Sequence, residues 1–223
     1  MLADGVIEKS NASYYSHPVI VQKIEDTVRV CIDYKNLNDR IKPASWPLLN
    51  IRGQFERIGH IKPTVFGVMD LTAGYHQAPL YPPHRVFTAF LCFCGLYQFT
   101  RLPFGPKWAP SYFQEQMITK VLQGLLYVSC EMYLDDCIVY VSNEDQFLTR
   151  LKQVFQRFRE RGLLLKAKKC KFGLPQIEYV GRVISKEELS MSMVKIQSVL
   201  NFEKPRMILI VTFMVIARGV RAG

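Results

Sequence analysis

Asp70, Asp135 and Asp136 are carried by two strongly apolar runs, Thr64 to Leu71 (T-V-F-G-V-M-D-L) and Tyr127 to Val141. Burying an aspartate in an apolar strand is costly unless it is protonated or meets a cation, so any fold must answer for these three. Runs this short and uninterrupted predict strands covered on both faces. The second run has two apolar halves, Val128 to Leu134 and Cys137 to Val141, and predicts a hairpin with the acidic pair at its turn. The residues alone leave two readings open. Aspartate suits turns, and D-D at a hairpin tip needs no further role. Alternatively, three carboxylates from adjacent strands gather at one sheet edge and hold two hard cations, for which oxygen ligands are suited.

The rest of the chain alternates strands and helices irregularly. His17 to Gln22 and Val28 to Tyr34 predict a β-hairpin linked through Glu25 and Asp26. Thr88 to Tyr97 predicts two more strands turning at Gly95, followed by a proline- and glycine-rich loop from Leu102 to Pro110. Pro110 suits a first helical turn, and Phe113, Met117 and Val121 recur behind it at helical spacing. Ser142 with Asp145 predicts a helix cap. Leu148, Leu151, Val154, Phe155 and Phe158 then form an apolar stripe, with Arg150, Lys152, Arg157, Arg159 and Arg161 opposite. The pattern is that of an α+β domain with an antiparallel sheet.

A chain of 223 residues that is 49% hydrophobic builds a real core, which excludes disordered and fibrous classes. Its net charge of +10 favours a polyanionic partner. The six cysteines form no CxxC pair and read as reduced core residues, with Cys92 and Cys94 expected on one side of a strand. No signal peptide is read at the start, and Ile208 to Ala217 is shorter than the ~20 residues that span a bilayer. The expectation is an intracellular, reducing setting with no membrane partner.

Six segments occur in an order that carries a family resemblance: V-R-V-C-I-D-Y-K-N-L-N (Val28 to Asn38), V-M-D-L-T-A-G-Y-H-Q (Val68 to Gln77), L-P-F-G-P-K-W-A-P-S-Y-F-Q (Leu102 to Gln114), Y-L-D-D (Tyr133 to Asp136), L-K-A-K-K-C-K-F (Leu165 to Phe172) and Y-V-G (Tyr179 to Gly181). Together they resemble the successive blocks of reverse transcriptases, nearest in pattern to those of Ty3/gypsy-type long-terminal-repeat retrotransposons. The resemblance implies a right-hand polymerase architecture. Its palm would be an antiparallel sheet backed by helices, and its fingers the amino-terminal hairpin plus the segment between Asp70 and Phe104.

The implied activity is RNA-directed DNA polymerisation with two Mg²⁺ ions, or Mn²⁺ in their place. The implied partners are a primed RNA or DNA template and deoxynucleoside triphosphates. By the same resemblance, Asp70, Asp135 and Asp136 are the metal-binding and catalytic carboxylates. Tyr75 is the ring beneath the incoming sugar, and Arg29 and Lys23 reach the triphosphate. Phe104 and Gly105 back the nucleotide, while Tyr133, Tyr179, Val180 and Gly181 position the primer. Lys166, Lys168, Lys169 and Lys171 form a basic run, a solvated face or a phosphate contact.

The chain departs from the family pattern at Pro106, usually Leu, and at Trp108, usually Asn. The expected division is fingers and palm over residues 5–184, the start of a thumb over 185–205, and a tail over 206–223 unlike the family, leaving the thumb largely missing. A non-catalytic descendant that binds nucleic acid or only folds is the alternative.

Overall fold

The computed structural model describes residues 1–22, 28–42, 46–187 and 189–191. In chain order these form β1 (Ile7–Lys9), β2 (His17–Gln22), β3 (Val28–Asp33), helix α1 (Lys35–Arg40), helix α2 (Ile51–Ile61), β4 (Val65–Asp70) and the short helix α3 (Gly74–Gln77). A 3-10 turn (Pro82–Thr88), β5 (Phe90–Cys92) and β6 (Gly95–Phe99) follow. Next come helix α4 (Ala109–Gln116), continued by a π turn (Met117–Val121), then β7 (Glu131–Tyr133), β8 (Asp136–Val141) and helix α5 (Glu144–Glu160). The described part closes with a 3-10 turn (Ala167–Lys169), β9 (Lys171–Leu174), β10 (Gln176–Tyr179), β11 (Arg182–Ser185) and β12 (Leu189–Met191).

The central sheet has the order β7-β8-β4-β9, with every pair antiparallel. Because side chains alternate across a strand, β8 feeds two cores. Cys137, Val139 and Val141 pack with Phe113 and Met117 of α4 and its continuation, and with Phe147, Val154 and Phe158 of α5. Ile138 and Tyr140 face the other way, onto Phe55 and Ile58 of α2 and Tyr179 at the end of β10. Burial on both faces explains why the runs around Asp70 and Asp136 are continuous rather than alternating. The α+β expectation therefore holds, with an antiparallel sheet between helices.

Two peripheral sheets, β1-β6-β5 and β10-β11-β12, and the β2-β3 hairpin complete the fold. The hairpin pairs over the whole of both strands, from His17 with Asp33 to Gln22 with Val28. Its linker, including Glu25 and Asp26, lies outside the described residues. So do Lys23 and nearly all of the expected thumb start and tail. Among the described residues no helix is long and apolar enough to cross a membrane.

Three local expectations are corrected. The β5-β6 turn is made by Phe93 and Cys94, and Gly95 opens β6 at φ 122°; Cys94 thus sits in a turn and does not share a strand face with Cys92. The cap of α5 is Asn143, whose side chain accepts from the Asp145 and Gln146 amides, so Ser142 lies one residue too early. On α5 the buried face is centred on Phe147, Val154 and Phe158, while Leu148 is exposed and Phe155 meets Phe172 edge-on at 5.6 Å. Nor is the basic face of that helix simply solvated. Arg150 donates to the Tyr140 carbonyl, and Arg157 to those of Val121 and Gln123.

Gly67 shows how tightly the carboxylate-bearing strand is held. A Cβ there would lie 2.8 Å from Phe147 Cζ and 3.0 Å from Phe172 Cδ1. Gly67→Ala is expected to cost about 1–3 kcal/mol by overpacking in urea unfolding. Gly59→Ala on α2, where an added Cβ meets nothing within 4 Å, is expected to be neutral or stabilising. Equal effects at the two positions would contradict this packing.

Candidate active site

β4 ends on Asp70 and β8 begins on Asp136, and these two residues are direct partners across the antiparallel pair. Direct partners project from the same face, so the two carboxyls emerge side by side at one end of the sheet. Asp135 joins them from the two-residue turn between β7 and β8. The other turn residue, Leu134, is held at φ 54°, a left-handed conformation unfavourable for leucine. Its amide donates to Gln114 Oε1 at 2.7 Å, and the Asp135 carbonyl accepts from the Leu71 amide at 3.4 Å. Gly74 gives Asp135 room, since a Cβ on Gly74 would approach the Asp135 Cβ to 3.0 Å.

Burial, followed by the negative charges of Asp135 and Asp70, pushes the Asp136 carboxyl up to about 6, with Lys169 acting in the opposite sense. Lys169 reaches back from the 3-10 turn before β9 and places its Nζ 2.8 Å from Asp70 Oδ2. That hydrogen bond is the largest cause raising the lysine pKa. Of the basic run, Lys169 is therefore paired with Asp70, and Lys166 is tied to the same strand end by its amide, which donates to the Asp70 carbonyl.

Among the described residues no three histidine, cysteine, aspartate or glutamate side chains are close enough to enclose a metal ion. Asp70 and Asp136 stand side by side, and Asp135 is the adjoining turn residue. The donor set still fits hard divalent cations: oxygen atoms only, at a strand end, with an electrostatic demand for positive charge.

Tyr75 on α3 stacks on Phe104, with ring centroids 4.7 Å apart and planes 13° apart, and leans on Phe113 at 5.0 Å. Burial, then Asp135 and Tyr133, push its phenol up to about 12, so the neutral ring lies beside the carboxylates. Phe104 remains 38% exposed, leaving an aromatic surface at the mouth of the site. Gln77 braces α3 by donating to the Leu164 carbonyl and accepting from the Leu164 amide.

The loop carrying Phe104 and Gly105 is docked on the segment after β3. Gly105 has φ 111° and leaves no space for a side chain, because a Cβ would sit 3.0 Å from Tyr34. Asn38 donates to the Gly105 carbonyl and accepts from the Lys107 amide, a two-point clamp. Pro106 is buried, and its carbonyl accepts from Ala109. Trp108 takes the N-cap position of α4 without a side-chain capping bond and packs edge-on against Tyr112.

The remaining expected site residues are placed as follows. The backbone of Arg29 pairs with Val21 in the β2-β3 hairpin, and its side chain lies outside the description. Tyr133 is the last residue of β7, pairs with Asp136 and packs against the second core. Val180 and Gly181 form the β10-β11 turn, both at positive φ. Tyr179 departs from the expectation. It is 1% exposed and its hydroxyl donates to Gln54, because strand alternation turns it into the core and leaves the Val180–Gly181 backbone at the tip.

Sequence reasoning missed Lys169 as a carboxylate partner, Asn38 as a clamp, and the buried amides Gln54 and Gln114. Gln114 carried a legible signal: it lies three residues before Met117, on the side of α4 that packs inward.

Residues 20–184 match the family described as reverse transcriptase (RNA-dependent DNA polymerase). The chain belongs to the reverse transcriptase family. Its relatives include the retrovirus-related Pol polyprotein from transposon 297 of Drosophila melanogaster, 30% identical over 92% of this chain and 20% of the relative. That from transposon 412 of the same fly is 33% identical over 81% of this chain and 15% of the relative. The Tf2-3 polyprotein of Schizosaccharomyces pombe is 28% identical over 92% and 15%. This reverse transcriptase domain thus spans a fifth or less of the length of these relatives. Foamy viral protease-reverse transcriptase shares the fold. The complex with double-stranded DNA matches at TM-score 0.79 and 19% identity, covering 96% of this chain and 44% of that one. The RNA/DNA hybrid complex matches at 0.78 and 19%, covering 96% and 28%.

The raised Asp136 pKa has a testable sign. A carboxyl whose folded pKa lies above its unfolded value of 3.8 favours the fold fully below that value, and loses this contribution as pH rises through about 6. Asp136→Asn is therefore expected to be more stable than wild type at pH 8 in EDTA, with the difference disappearing towards pH 4. A pH-independent difference in urea unfolding would contradict the raising of the Asp136 carboxyl by burial and by its acidic neighbours.

Proposed function

We propose that this chain is the fingers-and-palm portion of an RNA-directed DNA polymerase of a retrotransposon, extending a primer with deoxynucleotides on an RNA or DNA template. The observation that carries the reading is the convergence of Asp70, Asp135 and Asp136, close enough for Asp135 and Asp70 to help raise the Asp136 pKa and backed by the Lys169 ammonium. A site that holds three like charges together at a strand end is built for cations. Two Mg²⁺ ions, or Mn²⁺, would be held by these carboxylates and would supply activation of the primer hydroxyl and neutralisation of the triphosphate.

Asp70 and Asp135 are the principal ligands in this reading, and Asp136 the supporting carboxylate. Lys169, with its Nζ 2.8 Å from Asp70 Oδ2, would hold that carboxylate in place beside the cations. The stacked Tyr75–Phe104 pair lies beneath the incoming sugar and base, where an aromatic ring at Tyr75 excludes a 2′-hydroxyl. Gly105 lets the backbone approach the nucleotide. Arg29 and Lys23 contact the triphosphate, for which an arginine fork is well shaped. Tyr133 and the Val180–Gly181 tip hold the primer end, Tyr179 contributing through the rigidity of its strand. The positive charge of the chain suits a template read through its backbone. The nucleic-acid complexes of foamy viral reverse transcriptase support a duplex partner.

Purified chain, with a family thumb grafted after Pro205 where needed, is expected to extend a DNA primer on an RNA template in Mg²⁺ and not in EDTA. Asp135→Asn is expected to reduce extension to background. Extension that survives in EDTA or in the variant, or its absence in the grafted wild type, would overturn the assignment and leave a nucleic-acid-binding fold.

A further inference from the structure

The tip that presents Asp135 hangs from two fully buried amides. β7 is an edge strand of the central sheet, and its two-residue turn makes Tyr133 and Asp136 the hydrogen-bonded pair. Met132 and Cys137 are then the non-hydrogen-bonded pair, so the Met132 carbonyl points away from β8, off the sheet edge. Gln54 of α2 donates to that carbonyl at 2.8 Å, and Gln114 of α4 lies at 3.5 Å from it. Gln114 also accepts the Leu134 amide at 2.7 Å, which pins the one turn residue held at positive φ. Gln54 accepts the Tyr179 hydroxyl at 3.2 Å.

Tyr179 directly precedes the Val180–Gly181 turn, as Leu134 directly precedes Asp135. A polar chain therefore runs through the core from one hairpin tip to the other: Tyr179 hydroxyl, Gln54, Met132 carbonyl, Gln114, Leu134 amide. Both glutamines are 0% exposed, and among the described residues no buried side-chain nitrogen or oxygen lacks a partner. Such a chain has little tolerance, because displacing one member orphans the next inside the core.

We propose that Gln54, Gln114 and the Tyr179 hydroxyl are positioning residues that set the Asp135 tip against the Val180–Gly181 tip. The metal-binding carboxylates and the primer-holding turn are thereby kept in one register, a role that rests on the polymerase reading above. Their place on three separate elements, α2, α4 and β10, makes the relative position of the two tips a property of the core.

The test reads the Leu134 amide directly, by hydrogen exchange followed by NMR on the whole chain. Tyr179→Phe keeps the ring and removes only the hydroxyl at the far end of the relay. It is expected to accelerate Leu134 exchange roughly tenfold, of the order expected for one lost buried hydrogen bond. Gln114→Met, an apolar replacement of similar length, is expected to do at least as much. Gln114→Glu, protonated when buried and able to accept and donate as the amide does, is expected to restore near wild-type exchange. In primer extension, Tyr179→Phe and Gln114→Met should lower kcat with the nucleotide KM unchanged. Wild-type exchange at Leu134 in Tyr179→Phe, or failure of the Glu variant to rescue, overturns the relay whatever the extension assay reads. A chain that extends no primer but shows the exchange pattern keeps the relay and loses the polymerase reading.

Discussion

Three carboxylates at the end of a sheet buried on both faces set the terms for everything packed around them. Left alone, Asp70, Asp135 and Asp136 would repel one another, and the raised Asp136 pKa reflects its burial first and that repulsion second. The fold keeps them together by construction. Asp70 and Asp136 are fixed by their pairing between β4 and β8, and Asp135 by a turn whose partner residue is held at a costly φ. The interior must supply what the charges would otherwise undo, which is why the strands behind them are so uniformly apolar. Lys169 offsets part of that charge by putting one ammonium against Asp70.

Around this point the aromatic side of the site is assembled from separate pieces of chain. The Tyr75–Phe104 stack joins α3 to the loop before α4, and Asn38 clamps that loop to the segment after β3. Tyr34, buried against Gly105, anchors the same contact through its hydroxyl on the Thr88 carbonyl. The segment after β3, the end of the 3-10 turn before β5 and the loop before α4 are therefore coupled by hydrogen bonds to backbone atoms, which depend on geometry rather than on bulk hydrophobicity.

The strands of the central sheet and the carboxylates they carry were legible because a buried strand leaves a continuous apolar run, and a charge inside such a run stands out. Cap and turn positions slipped by one or two residues. Ser142 and Asn143 are both competent caps, and only the chain path chooses Asn143. Gly95 signalled a turn, yet the turn falls on Phe93 and Cys94. What local pattern does not encode is the partner of a polar side chain. Lys169 sits in a basic run that gives no hint of Asp70, 99 residues away. Tyr179 sits in a motif tied to a surface role, while its strand turns it inward to Gln54, 125 residues away. Pro106 and Trp108, which broke the family pattern, are accommodated by burial and by packing on Tyr112, so the loop keeps its dock.

The central claim is that Asp70 and Asp135 bind divalent cations where Lys169 now supplies the positive charge. It is tested most directly by Mn²⁺ binding to the purified chain, followed by electron paramagnetic resonance with Mg²⁺ as competitor. Wild type is expected to bind Mn²⁺ in competition with Mg²⁺, and Asp70→Asn and Asp135→Asn each to weaken binding by about tenfold or more, equivalent to about 1.4 kcal/mol. Binding of equal strength in all three proteins would place the cations elsewhere and contradict the account.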